Sequence, residues 1–486
     1  MRTLKISLIS LAALAWATLI TYFFLRYPWP WPDESLYADI ARHFRNTGEM
    51  GIPMFEGYFT EIESHQHFYP PLYFMTLGAL FFIFPYSLIT LRFFSLFCLL
   101  SATVWSFARL SKKTLGPMAV SGGVLVLMTD PVFIRGLLVG RMDSLGVFLT
   151  LGSLLLLHSG ECHPHRAKRR YFLFGSGLIG GLAFLTHPMA WAAPATLGLY
   201  TLVQLIRKKL KPIEVGLIAL GGIGISLPYL VWLYGEWGFF AEQFSAQMAR
   251  KHLVSPKGIR EALKSFEGLF AQYEAVKAIG MLSYILGFVG LVIYTWKDQR
   301  GLKFLIVHLL FTYLATFSRE MWYPVYWMVT SAIGVAILLH TANRRVAWTL
   351  ASLVVVGHLY GVFVKARQLR PYNYQTYCEV LKQKIPPGAK VFLTSVPDAY
   401  FCLDESFREG IRQFIPGGIP VPKNSAVAIF DTHDVFIAGS FFVGEHLEEY
   451  IKGSKDHFEI DSGVAGGFPY TLYLRKTAPA NSLRDQ

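Results

Sequence analysis

The stretch "YPPLYFMTLGALFFIFPYS" (Tyr69–Ser87) decides how the rest of the chain is laid out. It is apolar, but prolines at positions 70, 71 and 85 bound it closely. A helix needs about 20 apolar residues to cross a hydrocarbon core about 30 Å thick. Counted as a full span, this stretch reverses the direction of every later helix. Counted as a juxtamembrane or re-entrant segment, it leaves the later helices in step with the charge pattern.

That pattern is regular. Upstream, "LKISLISLAALAWATLITYFFL" (Leu4–Leu25) follows Arg2 and carries Lys5 near its start. Its apolar run of about 20 residues exceeds the roughly 7–15 of a signal peptide, so it reads as a retained first helix leaving the cytoplasm. Downstream, spans are expected near 90–110, 116–134, 143–158, 171–187, 188–206, 213–234, 276–295, 302–317, 322–340 and 346–365. The expectation is therefore a polytopic α-helical membrane protein of about 11 transmembrane helices. With alternating direction, five linkers fall on the cytoplasmic side: "RLSKK" (Arg109–Lys113), "HPHRAKRR" (His163–Arg170), "RKKLK" (Arg207–Lys211), "KDQRGLK" (Lys297–Lys303) and "NRR" (Asn343–Arg345). All are basic, as the positive-inside rule requires.

Composition agrees. The chain has 486 residues, of which 53% are hydrophobic, 15% aromatic and 16% charged. Soluble domains carry about a quarter charged residues. The net charge of +13 resides in those short linkers, which argues for topology signals beside anionic lipid and against nucleic acid.

The opposite face collects a first loop (26–90), the turn at 134–143, "THP" at 186–188, an amphipathic loop (235–275), "SREMWYP" at 318–324 and everything beyond 366. Residues 1–365 thus read as a transmembrane domain. Residues 366–486 read as a small extracytoplasmic α/β domain with a helix, a Pro/Gly turn and a strand in "YCEVLKQKIPPGAKVFLTSVPDAYF". "DVFIAGSFFVGEHLEEYIKG" adds strand and helix, and "FPYTLYLRK" a last strand. No phosphate-loop, nucleotide or metal signature stands in it. Of four cysteines, Cys98, Cys162, Cys378 and Cys402, the last two share this region. They form either a disulfide, if the region is oxidising, or two unpaired thiols.

Ionisable residues cluster at the outer helix ends. In "WPWPDESLYADIARHFRNTGEM" (Trp29–Met50), Asp33 and Glu34 open an amphipathic helix stopped by Gly48. Acids at that position suit a helix N-terminus, so capping is one reading and chemistry the other. Arg92 opens the span "LITLRFFSLFCLL", Arg141 and Asp143 flank an outward turn, His187 follows "FLT", and Arg319 and Glu320 precede "MWYP". Several cations and acids above apolar helices suit an amphiphile with a phosphate at the interface and a tail between helices.

The ordered set has a further meaning. Asp33-Glu34 with Tyr37, then "PPLY" (Pro70–Tyr73), then Arg92 with Ser95, then Arg141 with Asp143, then "FLTHP" from Phe184 through His187, resembles the GT-C glycosyltransferases. The resemblance covers residues 5–340 and is closest to the branch of protein O-mannosyltransferases and bacterial aminoarabinose transferases that modify lipid A. It implies transfer of a sugar from a polyprenyl-phosphate donor to a lipid, glycan or protein acceptor, on the extracytoplasmic face of a bacterial inner membrane. It also implies Asp33 as catalytic base with Glu34 in support. Arg92, Arg141, Asp143, His187, Tyr37 and Arg319 would lie toward the donor. Tyr69 stands where some relatives carry Lys or His, and His187 where Lys is common. A divalent metal is left open, with His65 and His67 as candidate ligands. The rival readings are a flippase of lipid-linked sugars, which predicts ionisable groups near mid-bilayer, and another polyprenyl-linked glycan ligase.

Overall fold

In the computed structural model of the protein the described residues are 16–24, 26, 29–111, 115–250, 259–318, 320–369, 371–394, 396–403, 410–413, 433–438, 453 and 457–476. The first half of the leading apolar run, Arg319 and the helix expected after residue 438 lie outside them. Helix α1 covers residues 16–24, α2 Pro32–Thr47, α3 Leu72–Ile83 and α4 Leu88–Ser111. There follow α5 (Pro117–Thr129), α6 (Pro131–Leu138), α7 (Asp143–Glu161), α8 (Arg166–Phe184), α9 (Ala192–Ile206) and α10 (Pro212–Gly235). The loop after α10 forms α11 (Trp237–Arg250) and α12 (Ile259–Gly268). The bundle closes with α13 (Lys277–Lys297), α14 (Leu302–Ser318), α15 (Val325–Thr341) and α16 (Arg344–Gln368).

Tyr69–Ser87 does not span. Its helix, α3, has 12 residues, which makes it about 18 Å long against a core of about 30 Å. Pro71 caps its start, and it packs on α2 rather than among the long helices.

Among the described residues, seven helical stretches are long and apolar enough to cross a bilayer, or eight if the bent pair α5–α6 is one span. The expected 11 is therefore not confirmed among the described residues, and four of the expected spans account for the difference from seven. The first run is only partly described. α8 begins with Arg166, Lys168, Arg169 and Arg170, which dilutes its apolar character. α15 has only 17 residues, buried along almost its whole length at the bundle's centre. The α5–α6 pair bends by 67° at Asp130, because Pro131 cannot donate to the ladder. Asp130 caps the second piece by accepting from the amides of Val132 and Phe133 at 2.9 and 3.0 Å.

Close packing comes from small residues. A Cβ on Gly290 would meet the Gly334 carbonyl oxygen at 1.8 Å, so α13 and α15 touch backbone to backbone. Large apolar side chains such as Phe97, Ile223, Val231 and Val356 remain exposed on the outer faces of the long helices, as a lipid-facing surface demands.

Among the described residues after α16 stand α17 (Tyr374–Lys384) and five strands: β1 (Val391–Leu393), β2 (Ile411–Gln413), β3 (Val435–Ala438), β4 (Phe458–Ala465) and β5 (Phe468–Arg475). They make one sheet in the order β2-β1-β3-β5-β4. β1 pairs in parallel with β2 and β3, whereas β5 pairs antiparallel with β3 and β4. Cys378 on α17 is joined to Cys402 by a disulfide, with Cα atoms 4.4 Å apart. That resolves the alternative the sequence left open.

Candidate active site

The site is built on the first turn of α2. Pro32 occupies its first position, where its fixed φ suits a helix and no amide is lost. Glu34 folds back to accept the Trp31 amide at 3.1 Å, closing a capping box. At the far end Gly48 takes φ 80° and donates its amide to Phe44 O, a left-handed stop that only glycine adopts without strain.

The two adjacent carboxylates then part company. Glu34 is wholly buried and accepts Arg92 Nε and Nη2 in a fork, both at 2.8 Å. It also accepts the Gly140 amide at 2.8 Å. Glycine is required there: a Cβ would lie 1.6 Å from Leu91 Cδ2 and 3.3 Å from Glu34 Oε1. Glu34 therefore ties the starts of α2 and α4 to the turn before α7. Arg92 is 3% exposed and spends its fork on this partner.

Asp33 faces elsewhere. Its side chain keeps 20% of its surface exposed and accepts Arg141 Nη1. Arg141 also donates Nε to Asp143 Oδ2 at 2.6 Å, so one guanidinium bridges the two acids. The Arg141 backbone is pinned in turn, its amide donating to Ser95 Oγ at 3.0 Å. Tyr37 lies beneath, 1% exposed, with Tyr69 and Tyr73 edge-on at 5.8 Å each. Burial, reinforced by the nearby Asp33 carboxylate, holds the Tyr37 phenol well above its ordinary value, so it stays protonated.

His187 joins this group from the α8–α9 turn. Its Nδ1 accepts the Met189 amide at 3.1 Å, which leaves the ring proton on Nε2, 3.8 Å from Asp143 Oδ1. Tyr326 Oη stands 2.9 Å from the same Nδ1, and Tyr69 stacks on the ring at 6.3 Å. With 2% exposure the ring is buried, within ion-pair but not hydrogen-bond distance of Asp143.

His65 and His67 meet a different partner. His65 Nδ1 and His67 Nε2 lie 3.1 and 2.8 Å from one oxygen of Glu236, whose other oxygen accepts Trp232 Nε1 at 2.9 Å. Burial works against the Glu236 charge, but the hydrogen bonds from both rings outweigh it and hold its pKa below the usual range. Burial likewise keeps His67 below its ordinary value. The group is a hydrogen-bonded clasp between the first loop and the end of α10. Among the described residues no three His, Cys, Asp or Glu side chains are placed to hold a metal ion.

A narrow pocket of about 30 Å³ is lined by Arg141 and Asp143 together with Trp31, Arg135, Gln272 and Trp322. Three of these were missed in the sequence. Arg135 of α6 lies 3.9 Å over the Trp322 ring and donates to Gln272 Oε1 at 2.5 Å. Its signal was visible, a lone cation within the apolar "VFIRGLLV". Gln272 and Trp322 carried no signal, since nothing local distinguishes them from loop residues. A second cavity, apolar and about 510 Å³, runs between α8, α9 and α10 from Phe184 and Pro194 to Leu205 and Val215. A few ionisable groups are also buried away from this site. Tyr273 Oη donates to Asp130 Oδ2 at 2.7 Å, and His358 Nε2 stands 3.6 Å from it; they brace the α5–α6 bend.

No protein-family model matches the chain, and no curated protein sequence matches it. Solved structures do. ArnT from Cupriavidus metallidurans bound to undecaprenyl phosphate superposes with a TM-score of 0.62 at 14% identity, over 96% of this chain and 97% of that one. Its apo form gives 0.61 at 12% identity, over 97% and 98%. The archaeal oligosaccharyltransferase AglB from Archaeoglobus fulgidus, in complex with an inhibitory peptide and a dolichol-phosphate, gives 0.54 at 12% identity, over 97% of this chain and 75% of that one. From end to end, the chain has the GT-C fold of these membrane proteins.

Proposed function

We propose that the protein is a membrane glycosyltransferase that takes a sugar from a polyprenyl-phosphate donor and inverts its anomeric centre, with Asp33 as the general base. The observation that carries this reading is the separation of the two acids. Glu34 is consumed by Arg92, Gly140 and Trp31, whereas Asp33 remains partly exposed and is joined to the pocket through its ion pair with Arg141, which lines the pocket with Arg135.

In the proposed reaction an acceptor hydroxyl or amine attacks the anomeric carbon as its bond to the phosphate oxygen breaks. The proton lost by the nucleophile goes to Asp33, and the electron pair of the broken bond leaves on the phosphate. That leaving group is a stable anion and needs cations rather than an acid. Arg141, flanked by Asp33 and Asp143, turns toward the phosphate when the donor binds, which frees Asp33 to accept the proton. Arg135 supplies a second positive charge. Glu34 and Arg92 hold the turn, and His187 stands within ion-pair distance of Asp143. The pocket as it stands accommodates about one water, so sugar binding parts the Trp31–Trp322 contact, now 5.7 Å between ring centres. The apolar groove between α8, α9 and α10 suits a polyprenyl tail by its lining, which runs from Phe184 to Leu205 and Val215. Arg319 is left without a role. The basic linkers argue that the site faces the extracytoplasmic side, with the N-terminus in the cytoplasm.

The test is a transfer assay with purified protein in lipid, a set of radiolabelled polyprenyl-phosphate sugars and extracted envelope lipids, glycans and proteins as acceptors. Product labelled at the anomeric carbon with inverted configuration supports the reading. Donor moved between leaflets of a vesicle without any bond breaking would replace it with a flippase.

A further inference from the structure

In a sheet whose parallel strands continue on both sides of a central one, ligands bind in the crevice outside the carboxyl ends. β1 is such a strand, with β2 and β3 parallel on either side. Its crevice holds the protein's own chain. Gln413, the last residue of β2, donates Nε2 to Ser35 Oγ at 3.2 Å and to Pro32 O at 3.4 Å, and meets Asp398 Oδ2 at 2.5 Å. The Asp398 amide donates to Pro30 O at 2.9 Å, and Tyr374 Oη to Asp398 O at 2.7 Å. Tyr400 Oη donates to Asp39 Oδ1 at 2.8 Å, one turn further along α2. Ser35 Oγ closes the set by donating to Pro32 O at 2.9 Å.

These bonds bracket Asp33 on both sides. Pro30, Pro32 and Ser35 are gripped from the sheet, while Glu34 is gripped from α4 and the turn before α7. Gln413, Ser35, Asp398 and Asp39 are all nearly or wholly buried.

We propose that the C-terminal domain acts as a positioning device: its sheet binds the first turn of α2 in the place of a ligand, and Gln413 is a positioning residue that sets Asp33 against Arg141. The inference rests on the glycosyltransferase reading for its kinetic consequence, but the grip is measurable without it. A misplacement of about 1 Å at a reacting group can cost about 100-fold in rate.

The experiment uses the full chain in lipid nanodiscs. In Gln413→Ala, amide hydrogen exchange over 34–39 is expected to rise at least tenfold, with exchange in the middle of α7 and α15 unchanged. In the transfer assay kcat is expected to fall about 10- to 100-fold, with KM for the polyprenyl-phosphate sugar within about twofold. In an Asp33→Asn background the same change is expected to add nothing, since no base remains to be positioned. Unaltered exchange in this segment, or an equal loss of rate with and without Asp33, overturns the proposal. If Gln413→Ala does not accumulate as folded protein, Tyr400→Phe, which removes only the hydroxyl bound to Asp39, is put through the same comparison. A wild-type chain that transfers no sugar refutes the glycosyltransferase reading; the exchange result then decides the grip alone.

Discussion

Asp33 and Glu34 share a chemistry and differ in surroundings, and the difference sets what each substitution does. Asp33→Asn keeps size and hydrogen bonding but removes the base, so kcat is expected to fall about 10²- to 10⁴-fold with little change in thermal midpoint. A variant with near wild-type kcat takes Asp33 out of the reaction. Glu34→Gln or Arg92→Ala breaks a buried fork, which leaves an uncompensated charge and is expected to cost about 3–5 kcal/mol. Thermal unfolding in detergent reads that loss as a lower midpoint. The motif resemblance puts Arg92 toward the donor phosphate; its fork grips Glu34, and it also lines a cavity of about 720 Å³ with Arg26, Tyr372 and Gln375. For the fraction of Arg92→Ala that folds, a raised KM for the donor supports a donor contact, and an unchanged KM leaves Arg92 to the fold.

At the scale of elements, the contact that decides the site is the passage of the turn before α7 over α4. The Gly140 amide reaches Glu34 only because no side chain separates it from Leu91. Gly140→Ala is expected to overpack this point by about 1–3 kcal/mol, seen as a reduced thermal midpoint. Shortening Leu91 to Val is expected to recover part of the loss. A destabilisation that Leu91→Val leaves untouched places the strain elsewhere. The same scale explains α3: it lies beside α2 because twelve apolar residues cannot cross, and prolines stop it from lengthening.

At the scale of the whole molecule, the sheet domain and the bundle are coupled through Asp398. Burial, with Glu34 nearby adding to it, raises its pKa from 3.8 to about 7, against the hydrogen bonds from the Tyr400 amide and Gln413. A carboxyl raised on folding is stabilising in its protonated form. Its contribution is complete below about pH 4 and is lost as pH rises through about 7. The resistance of the C-terminal domain to limited proteolysis is thus expected to be higher at pH 5 than at pH 8. The difference is expected to shrink in Asp398→Asn; an unchanged pH profile in that variant assigns the effect to other groups.

Hydropathy and charge are properties of consecutive residues, so the membrane class, the basic linkers, the non-spanning Tyr69–Ser87 and the placing of Asp33, Arg141, Asp143 and His187 near one another were legible in the sequence. The count of spans was less so, because α8 opens on four basic residues and α15 is a short helix buried along almost its whole length. The partner of each charge was not legible at all. Adjacent residues on a helix point about 100° apart, so whether Asp33 or Glu34 meets Arg92 depends on which side of α2 lies against α4. Nor does any local pattern link Gln413 to Ser35, which are 378 residues apart. The sequence by itself determined a membrane-embedded bundle with its acids and cations at one set of helix ends. Only the tertiary structure decided which acid is bound by Arg92, Gly140 and Trp31 and which keeps exposed surface beside Arg141, because hydrogen bonds saturate and each geometry assigns them once.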